Sequence, residues 1–214
     1  MKDISNYRKS YEKNELLEDK VSQNPMELFK NWFAEVEAFG GVEEVNAMSV
    51  STLGLDGFPR NRVVLLKQIQ DNGFIFFTNY ESEKGKAIMS NPKVCLSFFW
   101  PNLERQIIIK GMAEKVSETV SDTYFLSRPT GSQLGAMASA QSQIVSSRLF
   151  LENTLKDLES TFKDKKIPRP ANWGGILVNP TEFEFWQGRP NRLHDRLRFS
   201  RIDGVSWKID RLAP

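Results

Sequence analysis

Cysteine and histidine are almost missing: the 214 residues carry one of each, Cys95 and His194. A single cysteine excludes an internal disulfide. Its setting in Val94-Cys95-Leu96 reads as a core thiol, so a reducing, cytoplasmic compartment is expected. The two singletons together exclude the usual Cys/His zinc sites and multi-histidine centres, and no bound metal is expected. A Gly-x-Ser-x-Gly elbow is also absent, which leaves His194 without a nucleophile partner for a hydrolytic triad. An enzyme with this composition would take its chemistry from an organic cofactor. Excess charge is lacking as well: 29 basic side chains against 27 acidic ones give a net charge of +2, which implies no polyanionic partner. No apolar run approaches a membrane span. The first twenty residues mix Lys2, Arg8, Lys9, Lys13 and Lys20 with five carboxylates, so no targeting segment is expected there.

What is present is enough apolar residue, 40% against 26% charged, for a self-sufficient core. Asn24-Pro25-Met26-Glu27 predicts a capped helix start with a capping box, and Leu28, Phe29, Trp32, Phe33 and Val36 recur at helical spacing until Gly40-Gly41. Short β-rich runs follow at 48–53, 60–69, 74–78, 94–100 and 105–116, with Asp56-Gly57 and Asp71-Asn72-Gly73 as tight turns. Helices are expected at 82–90, 117–127 and 146–163, the last with a packing stripe of Leu151, Leu155, Leu158 and Phe162. After a linker at 167–170 come strands at 175–178, 182–187, 196–202 and 205–209. Eight or nine short strands without βαβ alternation predict an α+β protein, an antiparallel β-barrel with peripheral helices. Residues 1–20 are expected to form a flexible N-terminal segment and residues 21–214 a single domain.

Three clusters stand out. In Arg62-Val63-Val64-Leu65-Leu66-Lys67, strand alternation puts the two cations on opposite faces about 16 Å apart. They either flank a buried strand as solvated ends or hold two separate anions. Tyr124, Arg128 and Ser132 follow at intervals of four, a phenol, a guanidinium and a hydroxyl suited to a phosphate monoester, with an ordinary exposed helix terminus as the alternative. In Glu182-Phe183-Glu184-Phe185-Trp186-Gln187, alternation turns Trp186 away from the phenylalanine face, where a ligand or a subunit would cover it. Arg192, His194 and Arg196 would share one face of an extended segment and invite an anion or an electron-rich ring. Solvated hairpin charge and nucleic-acid contact by the arginines from Arg189 to Arg201 are the alternatives.

Several ordered strings resemble the pyridoxine/pyridoxamine 5′-phosphate oxidase family: RVVLLK (62–67), LERQ (103–106), YFLSRPTGSQLGA (124–136), NWGG (172–175), EFWQG (184–188), NRLHDR (191–196) and the terminal RLAP. The likeness runs from about Tyr7 to Pro214. It implies an antiparallel split β-barrel of the FMN-binding type, a homodimer with FMN at the subunit interface. On this resemblance Arg62, the backbone of Val63, Val64, Leu65, Leu66 and Lys67, and Phe77, Thr78, Lys84 and Gln106 hold the flavin. Gln141, Ser142, Trp186 and Arg196 match flavin-contacting positions that the partner subunit would supply. Lys67, Tyr124, Arg128 and Ser132 match the grip on the substrate phosphate. Arg192 and His194 match catalytic positions beside the pyridine ring, and Arg8 with Tyr11 match a segment that closes over the site. One position departs. Where the family usually reads Ser-Arg-Lys, this chain has Ser82-Glu83-Lys84, and a carboxylate beside a phosphate is repulsive, so Glu83 is expected to turn away.

The resemblance thus implies FMN-dependent oxidation of pyridoxamine or pyridoxine 5′-phosphate to pyridoxal 5′-phosphate, with dioxygen yielding hydrogen peroxide. A split-barrel flavin reductase and a non-catalytic flavin or pyridoxal-phosphate binding protein are the rival readings.

Overall fold

The computed structural model describes every residue from 1 to 214. Asn24 caps the first helix, α1 (Pro25–Phe39), by accepting the Met26 N–H at 2.9 Å, and Gly40, at φ 72°, ends it. The expected capping box does not close. Glu27 instead takes the Ser22 hydroxyl at 2.6 Å, and the Asn24 N–H donates to that same hydroxyl oxygen.

The remaining elements run β1 (Ala47–Leu53), β2 (Pro59–Leu65), β3 (Gln68–Gln70), β4 (Gly73–Asn79), α2 (Glu83–Ser90), β5 (Lys93–Trp100), β6 (Arg105–Lys115), α3 (Glu118–Ser127), α4 (Thr130–Ala138), α5 (Arg148–Thr161), β7 (Trp173–Gln187), β8 (Asp195–Arg201) and β9 (Trp207–Arg211). Nine strands join in the order β2-β1-β5-β6-β7-β4-β3, with β8 pairing β7 and β9. The α+β class and the antiparallel pairing expected from the sequence are both found.

Three boundaries differ from the expectation, each for a physical reason. The run 60–69 breaks at Leu66-Lys67, where Leu66 is buried and the Lys67 N–H bonds Ile75 O at 2.8 Å. The two strands expected at 175–178 and 182–187 are one. In β7, residues 173–178 pair with β4 and residues 182–187 with β8, so Pro180 falls in the interval between the two pairings, where a missing N–H is tolerated. Helix α4 was not expected. Gly131 and Gly135 lower its propensity and no side chain caps it, but Leu134 and Met137 pack it into a cluster with Phe125, Ile167 and Trp173.

The chain divides into two compact units, one of residues 1–50, 95–111 and 180–214 and the other of 51–94 and 112–179. In the first, α1 buries Phe29, Trp32 and Val36. Phe29 lies 5.1 Å from Phe98, Trp32 stands edge-on to Phe185 at 5.2 Å, and Phe185 reaches Phe199 at 5.5 Å. Each such ring contributes about 2 kcal/mol by burial. Arg105 is buried among them. Its guanidinium lies 4.3 Å above the Trp32 ring and donates to Glu35 at 2.6 Å and to Gln187 at 2.9 Å, so the buried charge is paired. In the second unit, Leu155 and Leu158 of α5 and Phe162 just beyond its end pack against the Phe125–Trp173 cluster.

A buried carboxylate fastens the N-terminal segment within the first unit. Glu104, 2% exposed and at φ 56°, accepts the N–H groups of Glu12 and Lys13 at 2.9 and 3.2 Å and the Lys9 ammonium at 3.0 Å. Its own carbonyl accepts Gly188 N at 2.8 Å and Gln187 Nε2 at 3.2 Å. Asp195 accepts the Leu16 N–H at 3.0 Å, and Leu16 is buried. The second half of the expected arm is therefore attached. Burial pushes the Glu104 carboxyl up, but Lys9 and the two amides outweigh it and hold it below its ordinary value. A depressed folded-state pKa gives stability that is complete above the ordinary carboxylate range and lost as pH falls through the folded value. Glu104→Gln is expected to cost about 1–2 kcal/mol at pH 7. That difference from the wild type should fade as pH falls below about 4. Urea unfolding of both proteins across that range measures it, and a difference that persists on acidification overturns the ionic latch.

Candidate active site

The second unit holds a cavity of about 480 Å³ lined by Val63, Val64 and Leu65 of β2, Lys67 beyond its end, and Phe77, Thr78 and Lys84. Tyr124 of α3, Arg128, Ser132 of α4, Gln141 and Trp173 complete it. Tyr124, Arg128 and Ser132 converge because α3 stops at Pro129 and α4 begins at once, with Gln133 Nε2 donating to Arg128 O at 2.8 Å. An aromatic stack backs them. Phe77 and Tyr124 lie face to face at 3.9 Å, Trp173 lies 5.5 Å from Phe77, and the Arg128 guanidinium sits 4.7 Å above Trp173.

Arg128 has no carboxylate partner, and its buried Nη1 makes no hydrogen bond. Burial holds its pKa below the usual guanidinium value. A half-buried cation with an unsatisfied donor beside a lysine, a phenol and a hydroxyl is a donor set for a dianion.

Lys84 is only 9% exposed. The start of α2 carries it there: Ser82 caps the helix by accepting Gly85 N, and a Cβ at Gly85 would lie 2.2 Å from Tyr80 O, so only glycine allows this approach. The Lys84 ammonium donates to Thr78 Oγ1 and Gln141 Oε1, each at 3.1 Å, and has no carboxylate partner. Burial and then the Arg62 charge lower its pKa. Lys84 and Gln141 also line a smaller cavity of about 250 Å³ with Arg60, Arg62, Glu83 and Ser142. Arg62 donates to Thr52 Oγ1 at 2.8 Å. Arg62 and Lys67 thus line different cavities, although the strand break at Leu66-Lys67, and not continuous alternation, separates them. Glu83 lies along the wall of the smaller cavity, paired with Arg60.

In the first unit, Arg8, Tyr11, Arg192 and His194 line one cavity of about 660 Å³ with Arg189. The extended segment expected at 192–196 is not found. Residues 190–192 form a 3₁₀ turn with Asn191 and Arg192 at φ 57° and 62°, a left-handed conformation that a non-glycine residue adopts at a cost. The expected shared face therefore dissolves: Arg196 sits on β8 and pairs with Glu184 at 2.8 Å. His194 Nδ1 accepts the Arg189 N–H at 3.1 Å, which leaves Nε2 to donate. Trp186 packs 4.8 Å from His194 and 5.7 Å from Tyr11, so its off-core face is covered by the N-terminal segment.

Some residues fall elsewhere. Leu66 is buried and lines neither cavity, and Gln106 donates to Ser97 Oγ at 3.3 Å. Gln141 and Ser142, assigned by the resemblance to the partner's side, stand in this chain beside Lys84. Cys95 is half-buried, and burial raises its thiol pKa. The sequence reading missed Arg60 and Glu104. The signal for Glu104 was its place in LERQ; Arg60, next to the turn and outside every string, offered none.

Residues 34–162 match the family described as pyridoxamine 5′-phosphate oxidase, and residues 173–214 match the pyridoxine 5′-phosphate oxidase C-terminal dimerisation region. A protein of Flavobacterium johnsoniae named pyridoxine/pyridoxamine 5′-phosphate oxidase is 64% identical over 213 residues, covering 100% of each chain. One of the same name from Christiangramia forsetii is 54% identical, covering 100% of this chain and 99% of its own. Among solved structures, PhzG of Burkholderia lata 383 in complex with tetrahydrophenazine-1-carboxylic acid superposes with a TM-score of 0.86 at 31% identity, covering 93% of this chain and 98% of its own. A pyridoxamine 5′-phosphate oxidase-related, FMN binding protein from Nostoc punctiforme shares the fold at a TM-score of 0.70 and 15% identity, covering 91% and 100%. The split-barrel fold expected from the sequence is thus found, and the chain belongs to the pyridoxine/pyridoxamine 5′-phosphate oxidase family.

Proposed function

We propose that this protein is an FMN-dependent oxidase that converts pyridoxamine 5′-phosphate or pyridoxine 5′-phosphate to pyridoxal 5′-phosphate. The observation that carries the reading is the buried, unpartnered Nη1 of Arg128 in a cavity shared with Lys67, Tyr124 and Ser132. Relatives named for this activity at 64% and 54% identity support it.

The residues fit both ligands. Arg62 and Lys84, whose pKa the Arg62 charge lowers, suit the cofactor phosphate, and Val63 to Leu65 with Thr78 and Gln141 offer a wall for the flavin. Bound FMN would accept two electrons from the substrate and pass them to dioxygen, releasing hydrogen peroxide. The alcohol substrate then yields the aldehyde directly, whereas the amine yields an imine that water hydrolyses to the aldehyde and ammonia. Lys67 and Arg128 hold the substrate phosphate by charge, while Tyr124 and Ser132 donate to its remaining oxygens. On the family match Arg192, held in a left-handed conformation, and His194, oriented through Nδ1, would act beside the pyridine ring and offset charge as it develops. The same match makes Arg8 and Tyr11 a segment that closes over bound substrate.

A homodimer accords with the C-terminal match to a dimerisation region, within which Trp186 and Arg196 lie. No helix is long and apolar enough to cross a membrane. PhzG raises a second reading, in which the substrate carries a carboxylate and no phosphate. Four donors around one anion favour the phosphate.

Oxygen consumption with pyridoxamine 5′-phosphate tests the proposal, and a flavin-loaded protein without turnover overturns it. Arg128→Ala and Lys67→Ala should raise KM for the phosphorylated substrate by about 10- to 100-fold while the protein stays yellow. Loss of the flavin in either variant would mean that the two anion sites have been divided wrongly. Arg192→Ala should keep its flavin and lower kcat/KM by roughly 10²–10³, with incomplete rescue by Arg192→Lys because an ammonium lacks the planar fork. Anaerobic stopped-flow flavin reduction isolates that step. A wild-type reduction rate at limiting and saturating substrate would remove Arg192 from the chemistry.

A further inference from the structure

Glu83 is an acidic residue on the wall of a cationic cavity, and its neighbours show how the chain accommodates it. The cavity of about 250 Å³ brings Arg60, Arg62, Glu83 and Lys84 together with Gln141 and Ser142. Glu83 opens α2, where a carboxylate suits the helix N-terminus. For an incoming phosphate the same carboxylate is a like charge. Arg60, on β2 two residues before Arg62, forms a hydrogen-bonded ion pair with Glu83. The Arg60 backbone carbonyl in turn accepts from Arg62 Nη1 at 3.1 Å. One residue thus touches both the carboxylate and a cation of the site. Arg62 senses both partners: burial and then the Arg60 charge lower its pKa, while Glu83 acts in the opposite direction.

We propose that Arg60 belongs to the cofactor-phosphate site, neutralising Glu83 so that Arg62 and Lys84 face the phosphate without a competing carboxylate. The inference rests on the FMN reading above. With Arg60, three cations oppose one carboxylate in this cavity; without it, two do. Because the pair is half-exposed, its contribution to folding stability is small. Its effect is therefore expected on anion affinity and not on the unfolding midpoint.

The test is a fluorescence titration of apoprotein with FMN and, separately, with riboflavin, which lacks the phosphate. Arg60→Ala should weaken FMN binding roughly tenfold and leave riboflavin binding and the urea midpoint unchanged. Adding Glu83→Gln to Arg60→Ala should restore most of the FMN affinity, because the uncompensated carboxylate is then gone. Equal loss for both flavins, no loss for FMN, or no rescue in the double variant would overturn the role of Arg60. In those cases wild-type FMN binding stands and so does the cofactor reading. A wild-type chain that binds neither flavin overturns both.

Discussion

A lysine ammonium that is only 9% exposed and has no carboxylate partner is a costly arrangement, and the start of α2 is built around it. Lys84 reaches its place because Ser82 caps α2 and Gly85 lets the helix start lie against Tyr80 O. Two neutral oxygens, Thr78 Oγ1 and Gln141 Oε1, are all that the protein offers the charge. Neutral acceptors recover only part of the hydration lost on burial, and Arg62 adds repulsion. An anion at this point removes both penalties. Arg128, on the same larger cavity, repeats the logic: aromatic faces lie against its guanidinium, no carboxylate pairs with it, and its buried Nη1 is left without an acceptor. Two separately placed cationic centres are what a flavin phosphate and a phosphorylated substrate require.

The first unit solves the opposite problem, because its buried charges are paired. Glu104 and Asp195 meet backbone amides and basic side chains, and Arg105 is satisfied by Glu35 and Gln187. The effect is to hold the N-terminal segment so that Tyr11 lies against Trp186 and His194, with Arg8 on the same cavity. Gly188 shares in this closeness, since a Cβ there would stand 2.8 Å from the Tyr11 ring. The latch at Glu104, which includes the Lys9 ammonium, thus fixes the part of the segment that lies next to Tyr11, while Arg8 is exposed beside it.

Elements with strong local signals were legible in the sequence. Asn24-Pro25 and Gly40 delimited α1 to the residue, and the turn glycines Gly57, Gly73 and Gly204, all at positive φ, separated strands as expected. What was not legible depends on partners distant in sequence. Helix α4 has two glycines and takes its stability from Phe125, Trp173 and α5. The continuity of β7 through Pro180 depends on which strand pairs on each side of it. The turn that ends at Arg192 is a different case: it is closed locally, by the Arg189 N–H donating to His194 Nδ1 five residues on, and strand alternation across 192–196 does not register such a side-chain bond. Site membership came through the ordered strings, which group residues by chemistry and carry no geometry. They located Lys67, Tyr124, Arg128 and Ser132 correctly on one cavity, yet had no means of locating Arg60.

The Glu83 position shows why a single departure within such a string is weak evidence against the chemistry it accompanies. A site for a phosphate is defined by the summed field of its neighbours, and that sum falls off slowly enough for a compensating charge to sit on another element. In this chain the carboxylate belongs to α2 and the guanidinium facing it to β2, separated by twenty-three positions in sequence and joined only by folding. The carboxylate also favours the helix N-terminus on which Lys84 depends, a benefit that an arginine there would forfeit. On the FMN reading, helix start and anion site would place opposite demands on residue 83, and the Arg60 guanidinium paired with Glu83 would allow both to be met.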